Sequence, residues 1–285
     1  MTSPASFIPG NVISADGTGI GYRQMGKGPG LLLVHGGLMT AQNFMELGKF
    51  LSTDYTVYIP DRRGRGASGP HGASYNLARE TEDMEAIIRQ TGARFMFGLS
   101  SGAIITLSTA LRTSLLEKIA LYEPPIPVKG ADPTAWLPEY EKALRSGNYG
   151  AALISIIRGT GNTFFFSALP KFLLAPLFNR VLKLEHRKTA PPNVSLYDLI
   201  PTMQYDAQFV RTSGDLVEKC RDVRVEVLLL GGQKSKAYLR RILDVLEKKL
   251  PNVKRVTFPR VGHIAADNDG KPGLVARELA AFFGK

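Results

Sequence analysis

One cysteine, Cys220, stands in a chain of 285 residues, so no internal disulfide can form and no cysteine cluster can hold a metal. Histidine is almost as scarce: His35, His71, His186 and His263 are the only four, and no two of them share a metal-ligand spacing. No uninterrupted run of about 20 apolar residues occurs, as a membrane span would need; the most apolar stretch, 164–184, is broken by Pro170, Lys171 and Pro176. The opening segment MTSPASFIPGNVISADG has neither a basic stretch nor an apolar run of export-signal length. These absences exclude a disulfide scaffold, and they set the expectation of a cytoplasmic protein that works without a metal or cofactor and does not span a membrane.

Acidic residues are in deficit, 25 against 36 Lys and Arg, for a net charge of +11. The cations are scattered (Arg62, Arg63 and Arg65; Lys234 and Lys236; Arg240 and Arg241; Lys248 and Lys249), and no nucleic-acid-binding signature accompanies them. The sequence therefore reads as a solvated basic surface with no nucleic-acid partner.

Short β-rich runs alternate with helix-length amphipathic segments, the order expected of a mainly parallel sheet covered by helices on both faces. Segments 11–14 and 19–23 are expected to form an antiparallel hairpin around Asp16-Gly17. Runs 31–35, 55–59, 94–98, 118–122, 224–230 and 253–258 read as strands, most of them continuously apolar because both faces are covered. Helices are expected over 41–51, 76–90, 101–111, 237–250 and 271–283. In 238–250, Leu239, Ile242, Leu243, Leu246 and Leu250 share one helical face, and Pro251 ends the helix. Between the strands at 118–122 and 224–230 lies a gap too long for a loop. Its Leu-rich and aromatic segments, punctuated by Pro, suggest a helical insertion over one end of the sheet.

The strongest motif is Gly98-Leu99-Ser100-Ser101-Gly102, which follows an apolar strand and precedes the helix-compatible run 103–107. A G-x-S-x-G turn between strand and helix strains the serine backbone and presents its hydroxyl at the sheet edge, while a side chain at either glycine would collide with a neighbouring element. Ser100 is the candidate nucleophile; Ser101 is the rival hydroxyl, one position off the motif. After the first buried strand comes His35-Gly36-Gly37-Leu38, where two glycines permit close backbone approach. The amides of Ser101 and of Gly37 or Leu38 are the candidate oxyanion hole. Only His263, in the loop between the last strand and the last helix, suits the role of base. His35 reads as a structural hydrogen-bonder, and His71 and His186 as solvent-facing.

With these motifs in sequence, the chain resembles the α/β-hydrolase fold superfamily over nearly its whole length. The matching segments are His35-Gly36-Gly37, Asp61 to Ser68, the Ser100 turn, Leu121 to Pro125, Leu229 to Gly232 and Gly262-His263. The resemblance implies an α/β fold: an eight-stranded, mostly parallel sheet flanked by helices, with a helical lid inserted after strand six. The implied domains are a core of 1–123 plus 221–285 and a lid of 124–220.

One segment departs from the pattern. Most of the superfamily carries the triad acid after strand seven, but Gly231-Gly232-Gln233-Lys234-Ser235-Lys236 contains no carboxylate, and Asp244 lies inside the following helix. Glu123, at the end of strand six, is the substitute: a minority of the superfamily places its acid there, and the zearalenone lactonase type looks similar. Asp267 and Asp269 read as capping groups for the last helix, and the arginines after Asp61 as part of a tight structural turn. The implied activity is a serine esterase or lactonase acting on a hydrophobic small molecule through a Ser100–His263–Glu123 catalytic triad. Trp136, Phe164, Phe165 and Tyr205 are candidate pocket residues. Other readings are a hydroxynitrile-lyase-like or C–C-cleaving enzyme of the same fold, or a ligand receptor with residual hydrolase machinery.

Overall fold

A computed structural model describes residues 6–160 and 170–284. Its strands are β1 (Ile8–Ile13), β2 (Gly19–Met25), β3 (Gly30–Val34), β4 (Thr56–Pro60), β5 (Phe95–Leu99), β6 (Lys118–Tyr122), β7 (Glu226–Gly232) and β8 (Val253–Phe258). They form one eight-stranded sheet in the order β1-β2-β4-β3-β5-β6-β7-β8. The strand β2 runs antiparallel to both of its neighbours, and every pair from β4 to β8 is parallel.

The apolar runs are continuous because successive residues serve opposite cores. Leu32, Val34, Met96, Leu121 and Leu229 face one cluster, together with Met84 and Ile87 of α2 (Leu77–Thr91), Ile104 of α3 (Ser101–Arg112) and Leu246 of a later helix, Ala237–Lys249. Leu31, Leu33, Phe97, Tyr122 and Leu230 face the other, with Leu47 of α1 (Met45–Leu51) and Leu279 of the last helix, Pro272–Phe283. Each fully buried Leu, Ile or Phe contributes roughly 1.5–3 kcal/mol.

Two local expectations need correction. Segment 41–51 is not one helix: Ala41–Phe44 is a 3₁₀ turn with a Thr40 capping box, and α1 starts only at Met45. The break has a cause, since the amide of Glu46 donates to Asn268 Oδ1 at 2.9 Å rather than within a continuous helix. Nor do Asp267 and Asp269 cap the last helix, whose N-cap position is Lys271 with no side-chain bond. Asp267 Oδ2 instead accepts from Asn43 Nδ2 at 3.0 Å, and its Oδ1 accepts from the Asp269 amide at 3.0 Å. Asp267 thus ties the loop after β8 to the turn after β3.

Between β6 and β7 lie α4 (Leu137–Arg145), α5 (Tyr149–Thr160), α6 (Lys171–Lys188), α7 (Leu196–Leu199), α8 (Met203–Thr212) and α9 (Leu216–Lys219). The helices α10 (Ala237–Lys249) and α11 (Pro272–Phe283) complete the layers. Leu137, Tyr140, Leu153, Ile156 and Ile200 build a separate small core within the insertion. Among the described residues no helix is long and apolar enough to cross a membrane.

Candidate active site

Register brings the site together. Leu99 pairs with Tyr122 and Tyr122 pairs with Leu230, so Ser100 and Glu123 each stand one residue beyond the aligned ends of β5 and β6, level with Gly231 of β7. Ser100 adopts φ 57°, ψ −123°, a region that costs a non-glycine residue about 1–3 kcal/mol. The turn is held by its amide, which donates to Tyr122 O at 2.9 Å. Close packing explains the motif's glycines: a Cβ on Gly98 would lie 2.3 Å from Gly102 O, and one on Gly102 would lie 2.3 Å from Val34 O. The start of α3 behind Ser100 supplies the positive end of a helix dipole.

His263 Nε2 lies 2.9 Å from Ser100 Oγ, and Nδ1 lies 2.7 Å from Glu123 Oε2. An ionised carboxylate can only accept, so Nδ1 carries the proton and Nε2 is left to accept from the serine hydroxyl. The second oxygen of Glu123 accepts from the Gly232 amide at 2.7 Å, and the residue is wholly buried with φ 46°. The empty strand-seven position has a steric counterpart. A Cβ on Gly231 would come within 3.1 Å of Glu123 Oε1, and one on Gly232 within 2.4 Å of Val261 O. Gly231 leaves room for the carboxylate arriving from β6, and Gly232, packed against the Val261 carbonyl, supplies a backbone donor to it. On the histidine side, Tyr122 Oη donates to Gly262 O at 2.8 Å and fixes the loop that carries His263.

The glycine loop after β3 is anchored by a guanidinium. Arg65 donates to Gly36 O at 3.0 Å and Met39 O at 3.3 Å, while Leu38 adopts φ 56°. His35 is fully buried, with Nδ1 against Gly36 O at 2.9 Å and Nε2 accepting from the Arg62 amide at 3.2 Å. Burial and the nearby Arg65 and Arg62 charges push its pKa well down, so the ring is a neutral structural strut.

The arginines after β4 are not a solvated basic surface. Arg62, Arg63 and Arg65 are at most 3% exposed and are matched by Asp16, Glu80, Asp83 and Asp206. Asp206 comes from α8 of the insertion: its Oδ1 accepts from Arg62 at 2.8 Å and from the Ser101 hydroxyl at 2.6 Å, and Oδ2 pairs with Arg65. Burial raises the Asp206 pKa, but the Arg62 and Arg65 charges outweigh it and hold the carboxyl well below the usual range. Ser101 Oγ also accepts from Arg62 at 3.2 Å, so this hydroxyl is committed to the cluster. Sequence reasoning missed Asp206 because its partners lie more than 100 residues away. Removing it would leave two buried cations short of a counter-ion. Asp206→Ala is therefore expected to lower unfolding free energy by about 3–5 kcal/mol, read from urea melts; a change within error would show that these charges do not need Asp206.

A cavity of about 380 Å³ opens over Ser100 and His263, with Gly36, Gly37, Leu38 and Ser101 on its floor. Leu99, Trp136, Ile156, Ile157, Met203 and Val210 make most of the remaining wall apolar, and Asp206 and Asp267 are its carboxylates. Trp136 thus lies where the sequence places it. Tyr205 does not: it stacks on His71 with ring centroids 3.7 Å apart and contacts Tyr75, outside the cavity wall. The same stack corrects the solvent-facing reading of His71, whose Nε2 is buried and whose pKa falls to about 4 through burial and the Arg65 charge. His186 is exposed, as expected, against Ser195 and Asp198. Phe164 and Phe165 lie outside the described residues.

The sequence profile of the alpha/beta hydrolase family matches residues 31–278. The chain belongs to that family. The uncharacterized hydrolase YraK of Bacillus subtilis is 32% identical over 109 residues, a match spanning 37% of this chain and 40% of that one. Among solved structures, an alpha/beta hydrolase from Sphaerobacter thermophilus is 30% identical, with a TM-score of 0.76 over 96% of this chain and all of that one. The enol-lactonase of Burkholderia xenovorans has the same fold, at 17% identity and a TM-score of 0.72, over 97% of this chain and 100% of that one.

Proposed function

We propose that this alpha/beta hydrolase family member is a cofactor-independent serine hydrolase that cleaves a carboxylic ester or lactone of a hydrophobic small molecule. The observation that carries the reading is the unbroken hydrogen-bond chain from Ser100 through His263 to Glu123 on the floor of an apolar cavity. Ser100 Oγ attacks the carbonyl carbon while His263 Nε2 takes its proton. Glu123 holds the imidazole in the Nδ1-protonated tautomer and stabilises the imidazolium that forms. The developing oxyanion is received by the amides of Ser101 and of Gly37 or Leu38, where one such donor typically contributes about a hundredfold or more in rate. His263 returns the proton to the leaving alcohol, and water, activated by the same imidazole, releases the acyl group. In a lactone the leaving alcohol stays attached to the acyl chain. Residues 124–220 act as a lid, with Trp136 and the apolar faces of α5 and α8 selecting a hydrophobic acyl or alcohol group.

The test is trapping. Incubation with a slowly deacylating aryl ester should add the acyl mass to the peptide containing Ser100, and a panel of aryl esters and lactones should show turnover favouring apolar members. Cleavage of a cyanohydrin or a C–C bond, with no acyl adduct and no turnover of the esters, would instead favour the lyase reading. Tight ligand binding with no turnover would favour the receptor reading.

A further inference from the structure

The outer face of α6 is unusual for a helix exposed to water. Leu173, Leu177, Val181 and Leu184 are 58%, 58%, 54% and 45% exposed, and their spacing places them within one quarter of the helix circumference. The side turned into the protein carries Leu174, Ala175 and Leu182, which are buried; Leu174 and Ala175 pack on Ile154 of α5. The exposed apolar stripe is therefore a second apolar face, beyond the one the fold uses.

Cations border this stripe. By the same helical spacing Arg180, Lys183 and Arg187 flank one edge, and Lys188 continues the line of the stripe at its C-terminal end; all four are exposed, and among the described residues none has a carboxylate within ion-pair distance. The acid of this stretch, Glu185, turns away and accepts from the Leu196 amide and the Thr189 hydroxyl. An apolar stripe bordered by unpaired cations is complementary to one kind of surface, acyl chains beneath a layer of anionic headgroups. A second copy of this face laid antiparallel would fit poorly, because it would bring the same row of cations edge to edge with no carboxylate between them.

We propose that α6 is a docking surface for an anionic lipid bilayer: the helix lies in the membrane plane, with Leu173, Leu177, Val181 and Leu184 at the headgroup boundary and the four cations on phosphates. Eighteen residues span about 27 Å, enough for one interfacial contact. The helix α6 packs on α5, which forms part of the cavity wall, so docking brings the apolar side of the site next to the phase in which hydrophobic molecules dissolve. The docking stands apart from the hydrolase reading, and its test needs no turnover.

The test is flotation of the full chain with vesicles of phosphatidylcholine alone or with about one third phosphatidylglycerol. The expected result is recovery with the anionic vesicles and little with the neutral ones. Leu177→Ser combined with Val181→Ser should weaken binding about tenfold or more. Arg180→Gln, Lys183→Gln and Arg187→Gln together should weaken it on the order of a hundredfold, at about fivefold per cation. Both variants should melt as the parent does. No flotation of the parent, or unchanged binding when the apolar pair is replaced, would overturn the proposal. So would a concentration-dependent dimer in light scattering that the apolar variant abolishes, since the stripe would then belong to a second copy.

Discussion

Ser100→Ala is expected to lower kcat on aryl esters by about 10⁶-fold, as removal of a triad nucleophile does elsewhere. The folded chain should be little changed, because the hydroxyl's recorded partner is His263 Nε2, and a hydrogen bond of this kind is worth about 0.5–1.5 kcal/mol. The neighbouring hydroxyl cannot take over. Ser101 Oγ is held between Asp206 and Arg62, two charged groups that are themselves fixed by burial. The backbone donors remain in the variant, so a residual rate of about 10³–10⁴ over water should persist, with substrate affinity close to that of the parent. The measurement is kcat and KM on one aryl ester for parent and variant. Retention of even a tenth of the parental rate would remove Ser100 from the nucleophile's role.

Glu123→Gln is expected to cost about 10⁴ in kcat, an effect that comes from a single misplaced proton. The Gly232 amide must still find an acceptor, so it should keep the amide oxygen of the new side chain. The amide nitrogen then faces His263 Nδ1 and donates to it. Nδ1 must accept, Nε2 must carry the ring proton, and the imidazole can no longer take one from Ser100. The fold should survive, because volume and both hydrogen bonds are kept. Asp244→Asn serves as the control: this carboxylate is exposed on α10 against Arg255, and its loss should leave kcat unchanged. A large effect at Asp244 with a small one at Glu123 would overturn the assignment of the acid.

Much of this architecture is legible in the sequence because its signals are local. The buried strands are recognisable as runs such as Leu31 to Val34, where every side chain meets one of two cores. The Ser100 turn is recognisable because the glycines that permit it stand two positions away. Glu123 is reached from its place at the end of strand six and from the resemblance to the minority of the superfamily with its acid there, once the segment after β7 proves to lack a carboxylate. The geometry supplies the positive reason, a pair of glycines that accommodate and hydrogen-bond it. What escaped was non-local. Three consecutive-looking cations after Asp61 resemble surface charge until Glu80 and Asp83 from α2 and Asp206 from α8 arrive beside them. Tyr205 stands on the same helix as Asp206, but its ring packs on His71 rather than on the cavity, a distinction of helix face that composition cannot make.

The Arg62–Asp206–Arg65 contact also constrains how the cavity can open. Pulling α8 off the sheet would strand buried charges on both sides of the break, a cost of several kcal/mol that thermal fluctuation meets rarely. The joints of α4, α5 and α6 with one another are mainly apolar, with a solvent-accessible Lys171–Glu139 pair and a bond from the Gly150 amide to Asn179 beside them, and they can shift without stranding a wholly buried charge. If the cavity is gated, the motion is expected in that outer group of helices, with α8 as a fixed doorpost rather than part of the door.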